Sequence, residues 1–170
     1  MKGLIIAGLL ILNIIVQTMI FPYIPILGVE PDTLLCIVVS LGFTNGHFTA
    51  AFTGLFGGLA FDILFGWPLG ANALLYLCAG VLAGIARERL RVENHLYACA
   101  FTVAISFVKE VLGFLTALIA GAHFSIGWAF LSGVLPTALL TGAAMLLIHA
   151  PLRRMAQWSV MKRKYQEMLD

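Results

Sequence analysis

The sequence reads as an all-α polytopic membrane protein, a bundle of six transmembrane helices. Three observations carry this. Of 170 residues, 61% are hydrophobic and only 11% are Asp, Glu, Lys or Arg. A soluble domain carries about 25% charged residues, so eighteen charges could not cover a water-facing surface of this size. Long uncharged runs recur, from Gly3 to Val29, Thr33 to Phe61, Ile63 to Ala86 and Val111 to Leu152. These runs are apolar on both parities, which favours helices over the alternating strands of a membrane barrel. The same numbers exclude a disordered chain. They also exclude a nucleic-acid binder, because the net charge is only +2 and the basic residues cluster at the ends of apolar runs.

Breakers divide the runs. The first helix covers 4–21 and ends at Pro22 and Pro25. No small-x-small cleavage pattern follows it, so it reads as a retained span rather than a signal peptide. The second covers 33–44, opened by Pro31 and Asp32, and Asn45-Gly46-His47 makes a tight turn into the third, 48–65. Gly66-Trp67-Pro68-Leu69-Gly70 is a loop by composition. The remaining helices are 72–86, 96–120 and 127–149. The second and fourth are short against the roughly 20 residues a bilayer requires. Residues 1–150 thus form one six-helix transmembrane domain, and 151–170 a basic cytoplasmic tail.

Basic residues collect on the cytoplasmic side of a membrane. With six crossings, Lys2, the loop residues Arg87, Arg89 and Arg91, and the tail residues Arg153, Arg154, Lys162, Arg163 and Lys164 all fall on one side. That accounts for nine of the ten basic residues and places both termini in the cytoplasm. In the tail, Leu152, Met155, Trp158, Met161, Tyr165 and Met168 recur every three or four residues. This fits an amphipathic helix lying on the inner membrane surface; a frayed tail that only fixes topology is the plainer alternative.

Three charges interrupt the apolar runs: Asp62, Lys109 and Glu110. An ionised side chain in lipid costs about 2.5–3.5 kcal/mol even on insertion scales, so each needs a partner or a polar cavity. Asp62 and Lys109 each lie about 20 Å from the inner boundary at about 1.5 Å per residue. They are predicted to face one another or to lie within one turn, with Glu110 about 100° away. Such a pair serves as structural glue or as part of a proton or ion pathway. At the outer end, Asp32 is placed to cap the second helix and Asn72 the fourth. Pro31, Gly66, Pro68 and Gly70 shape the connections there, either as turn chemistry alone or as a pocket for a partner. Gly54 and Gly58, and Gly80 and Gly84, have the spacing that lets helices approach closely in lipid.

Signatures of enzymes are not found. His47, His95, His123 and His149 lack ligand spacing, and Glu93 with His95 is a weak metal signal. There is no G-x-S-x-G and no P-loop. Cys36, Cys78 and Cys99 lack C-x-x-C spacing and read as reduced, space-filling thiols. The residues thus point to no catalytic group, no metal site and no cofactor.

One stretch is more specific. Glu30-Pro31-Asp32-Thr33-Leu34-Leu35 is followed by Gly54-Leu55-Phe56-Gly57-Gly58-Leu59-Ala60-Phe61-Asp62-Ile63-Leu64. Then come Gly66-Trp67-Pro68-Leu69-Gly70-Ala71-Asn72-Ala73-Leu74 and the glycine-spaced Tyr76-Leu77-Cys78-Ala79-Gly80-Val81-Leu82-Ala83-Gly84. Over about residues 30–86 this resembles the bacterial rod shape-determining MreD family. The resemblance implies a six-helix fold like the substrate-binding subunit of ECF-type transporters. It implies a non-catalytic role in the elongation (Rod) complex of the bacterial plasma membrane. It further implies direct binding to MreC, and through it a link from MreB filaments to a SEDS glycosyltransferase and a class B penicillin-binding protein. Asp32, Asp62, Gly66, Pro68, Gly70 and Asn72 match the family's motif positions. The Arg87–Arg91 loop and the basic tail are the surfaces left for a cytoplasmic partner or anionic lipid. A small-solute-binding transporter subunit is the competing function; it requires polar groups converging on a pocket, with Asp62, Asn72, Lys109 and Glu110 as candidates.

Overall fold

The structure, a computed structural model, describes residues 2–19, 29–65, 70–90, 95–119 and 133–166, with side chains described over 5–19, 29–65, 70–89, 96–115 and 133–154. Within these residues the chain forms six helices: α1 (Lys2–Met19), α2 (Thr33–Asn45), α3 (His47–Phe65), α4 (Ala71–Leu90), α5 (His95–Ile119) and α6 (Leu135–Gln166). Four of them, α3 to α6, contain apolar stretches of 19 or 20 residues, long enough to cross a membrane; α1 and α2 contribute shorter apolar helices. Gly66, Pro68, Arg91, the start of the predicted sixth span at 127–132 and the side chains of Trp158, Lys162, Arg163 and Lys164 lie outside the described residues.

The shortest helix sits in the middle. Every residue of α2 from Thr33 to Gly42 is buried, and α2 contacts each of the other five helices. At about 1.5 Å per residue α2 is only about 20 Å long. A helix sheathed by its neighbours need not match the bilayer thickness, which is why a length too short for a lipid-facing span is tolerated here. Leu34, Leu35, Val38 and Val39 of α2 form the core with Tyr76, Ala79 and Ala83 of α4, Ala98 of α5 and Met145 of α6. The outward faces stay apolar: Phe48, Phe52 and Phe56 of α3 and Leu147 of α6 are exposed, with Phe52 stacked on Phe56. In water such a surface would drive aggregation, whereas in lipid it is the solvated face.

The α2–α3 turn is made by Gly46, whose φ of 94° is left-handed and suits a residue without Cβ. From there α3 and α4 run antiparallel with almost no side-chain layer between them. A Cβ on Gly54 would stand 2.3 Å from the Tyr76 carbonyl oxygen, and one on Gly84 would stand 2.4 Å from the His47 Cα. Both glycine pairs therefore serve packing within the chain.

Helix α6 departs from the sequence expectation. A break was predicted between His149 and the tail, yet Pro151 lies inside one continuous helix. Proline removes one backbone donor and crowds the preceding turn. The next residue, Leu152, is buried against Ile37, Leu41 and Ala50, and this contact holds the helix onto the bundle past the proline.

Candidate functional site

Polar side chains buried in the bundle concentrate at the end away from the Gly46 turn. Asp32 is the centre. As the N-cap of α2, its Oδ1 accepts the Leu35 amide at 2.9 Å, as the sequence led one to expect. Its Oδ2 accepts the Tyr76 hydroxyl of α4 at 2.8 Å and the Lys109 ammonium of α5. Lys109 also donates to the Tyr76 oxygen at 2.9 Å. The Asp32 backbone amide donates to Thr141 Oγ1 of α6 at 3.1 Å. One residue thus ties α2, α4, α5 and α6 together. The adjacent Thr33 adds α1, accepting from Asn13 Nδ2 at 2.7 Å and donating to Gln17 Oε1 at 3.1 Å.

Asp62 does not meet Lys109, contrary to the sequence expectation. Equal depth was the basis of that pairing, but the backbones of α3 and α5 do not come together among the described residues. Asp62 is 1% exposed and turns instead to the start of α4. Its Oδ2 accepts Gly70 N at 2.9 Å and Ala73 N at 3.3 Å, and its Oδ1 accepts Asn72 N at 3.3 Å. The free amides of a first helical turn and the positive end of the helix dipole both favour a carboxylate there. Gly70, with φ 98°, brings its own amide onto Asp62. Asn72 therefore does not cap α4 with its side chain; the cap comes from α3. Asp62→Asn is expected to lower stability by about 1–3 kcal/mol, because an amide nitrogen would then face a backbone donor. Thermal unfolding of the purified chain in detergent reads this, and an unchanged melting temperature would refute the cap.

A cavity of about 320 Å³ opens beside this hub, lined by Gln17, Glu30, Asp32, Phe61, Phe65, Asn72, Lys109 and Glu110 among others. Sequence reasoning placed Asn72, Lys109 and Glu110 among the candidates but passed over Tyr76, Asn13, Gln17 and Thr33. The signal existed in part: Asn13 and Gln17 stand four apart in an otherwise apolar helix. Glu110 is half-buried and forms no ion pair among the described residues.

The opposite end of the bundle has a different character. Ser40 Oγ and His149 Nδ1 lie 2.9 Å apart in the interior, and His47 Nδ1 meets Glu88 Oε1 at 3.1 Å near the surface. Arg87 and Arg89 are exposed at the end of α4, where cations complement the helix dipole, and Arg154 is exposed one turn beyond His149. The described basic residues other than Lys109 thus lie away from the cavity. Cys36 and Cys99 donate to carbonyls of α6, those of Thr141 and Gly142, at 3.3 and 3.2 Å, consistent with thiols that fill space.

A helical membrane bundle with a braced hub of buried charge beneath a cavity at one end defines the class: a polytopic membrane protein that presents a shaped surface at that end. A family model described as rod shape-determining protein MreD matches residues 1–158, and the chain belongs to that family. Membership assigns it a role in rod-shape determination, a structural role within the shape-determination complex. No curated protein and no solved structure matches the chain.

Proposed function

We propose that this chain is a non-catalytic subunit of the bacterial cell-elongation complex that binds MreC and so regulates peptidoglycan synthesis. MreB filaments, the SEDS glycosyltransferase and the class B penicillin-binding protein are then linked to it through the same assembly. The observation that supports this is the cavity itself. It sits over a hub that fixes five helices, so a segment bound there meets a surface held in place rather than a loop that must be ordered on binding. In the plasma membrane, with both termini and the clustered Arg residues on the cytoplasmic side, the cavity opens outward, towards the extracytoplasmic part of a single-span partner.

Depletion in a rod-shaped host, combined with co-purification from membranes, tests the reading. Rounded cells and recovery of MreC with the tagged chain are expected. Cells that keep their shape, with no bound partner, would overturn it. A solute-binding transporter subunit is favoured by one observation: Asn72, Lys109 and Glu110 do converge on the cavity. A solute that raises the melting temperature of the purified chain, with cell shape preserved on depletion, would select that reading instead.

A further inference from the structure

The chemistry of the cavity wall narrows what fills it. Three carboxylates line it, those of Glu30, Asp32 and Glu110, against the single ammonium of Lys109. Asp32 and Lys109 neutralise one another, which leaves two negative charges facing the space. Glu110 is half-buried without an ion pair among the described residues, and a partly desolvated carboxylate gains most from an arriving cation.

A second, independent observation points the same way. Asn72 is only 5% exposed, yet its carboxamide has no hydrogen-bond partner among the described residues. Gln17 is 7% exposed; its Oε1 is taken by Thr33, while its amide nitrogen is free of partners among the described residues. A polar side chain held in a nearly buried residue with no internal partner is free to bond an occupant of the space it faces. Both amides line the cavity and, unlike the fully enclosed Ser106 Oγ, keep access to it, so both are available to whatever occupies it.

We propose that the cavity receives a lysine or arginine side chain from the outer, membrane-proximal segment of the protein partner. Glu110 takes the charge, Asn72 Oδ1 accepts a further N–H, and the Gln17 amide donates to a carbonyl of the same segment. This rests on the reading of the chain as a partner-binding subunit. The volume, about 320 Å³, is at the lower end for ligand pockets, which suits one side chain and its backbone rather than a folded element. An anionic occupant would meet Glu30 and Glu110 with Lys109 already engaged by Asp32 and Tyr76.

The test uses the full chain in lipid nanodiscs and full-length MreC, with binding measured for wild type, Glu110→Gln and Glu110→Lys. Glu110→Gln is expected to weaken binding about tenfold, and Glu110→Lys further, with the melting temperature of the chain alone unchanged. Replacing one partner Lys or Arg by Glu is expected to lose affinity that Glu110→Lys restores. If wild type binds and Glu110→Gln binds equally well, the cation site is wrong while partner binding stands. If wild type does not bind at all, the underlying reading fails. Should Glu110→Gln not fold, single Ala substitutions of every Lys and Arg in the partner's segment decide, and none weakening binding overturns the proposal.

Discussion

Lys109→Met is expected to destabilise the bundle by about 3–5 kcal/mol, the effect of leaving a buried partner charge uncompensated. Asp32 cannot escape to water, because it is 4% exposed and fixed by the Leu35 and Thr141 contacts. Methionine keeps the aliphatic stem and removes only the ammonium, so the loss reports charge rather than volume. Asp32→Asn is expected to cost less in the Lys109→Met background than in wild type, since the carboxylate is then already unpaired. The two positions should therefore couple by about 0.5–3 kcal/mol in a double-mutant cycle. The Asp62→Asn and Lys109→Met pair should be close to additive, because the two side chains share no partner: Asp62 holds the amides at the start of α4, and Lys109 holds Asp32 and the Tyr76 hydroxyl. Thermal or denaturant unfolding in detergent measures all of these. A Lys109→Met protein that melts like wild type would show that the hub does not hold the helices.

What could be read from the sequence was what depends on position along a helix; what could not was what depends on direction around it. The apolar runs and their breakers gave α1 to α5 within a few residues, and Asp32 as cap of α2 follows from a Pro-Asp pair ahead of an apolar run. Depth arithmetic placed Asp62 and Lys109 on one level. It carried no azimuth, and which helices are neighbours is settled only by tertiary packing. The true partner of Lys109 lies at the start of α2, where Asp32 already had a local explanation as a cap. Tyr76 drew no notice because a tyrosine in an apolar helix is unremarkable until its hydroxyl is seen to be buried and bonded twice. The helix through Pro151 was missed for a similar reason: proline's local preference against helix is plain in the sequence, whereas the packing of Leu152 on Ile37, Leu41 and Ala50 is not. The small-residue spacing of α3 and α4 was legible, and it brings the α4 backbone, with Tyr76, directly against α3.

Gly58→Ala is expected to be the second most damaging of these changes, although it adds a single methyl. The new Cβ would stand 2.5 Å from the Ala73 Cα and 2.8 Å from its backbone nitrogen. These are backbone atoms of the facing helix, so no rotamer change relieves the contact and α3 must move away from α4. Overpacking of this kind costs typically about 1–3 kcal/mol, and more where the backbone is rigid. The movement also has two specific consequences. Ala73 N is one of the three amides that Asp62 holds, so separation at Gly58 pulls the cap off α4. Tyr76, whose carbonyl faces Gly54, is drawn away from Asp32 and Lys109. Gly58→Ala and Asp62→Asn are therefore expected to be less than additive, since each releases the same helix start. Gly8→Ala supplies the control, because a Cβ there meets nothing within 4 Å. Melting temperature and accumulation in the membrane distinguish the two substitutions. If Gly58→Ala behaves like Gly8→Ala, then close approach of α3 and α4 is not what positions the hub.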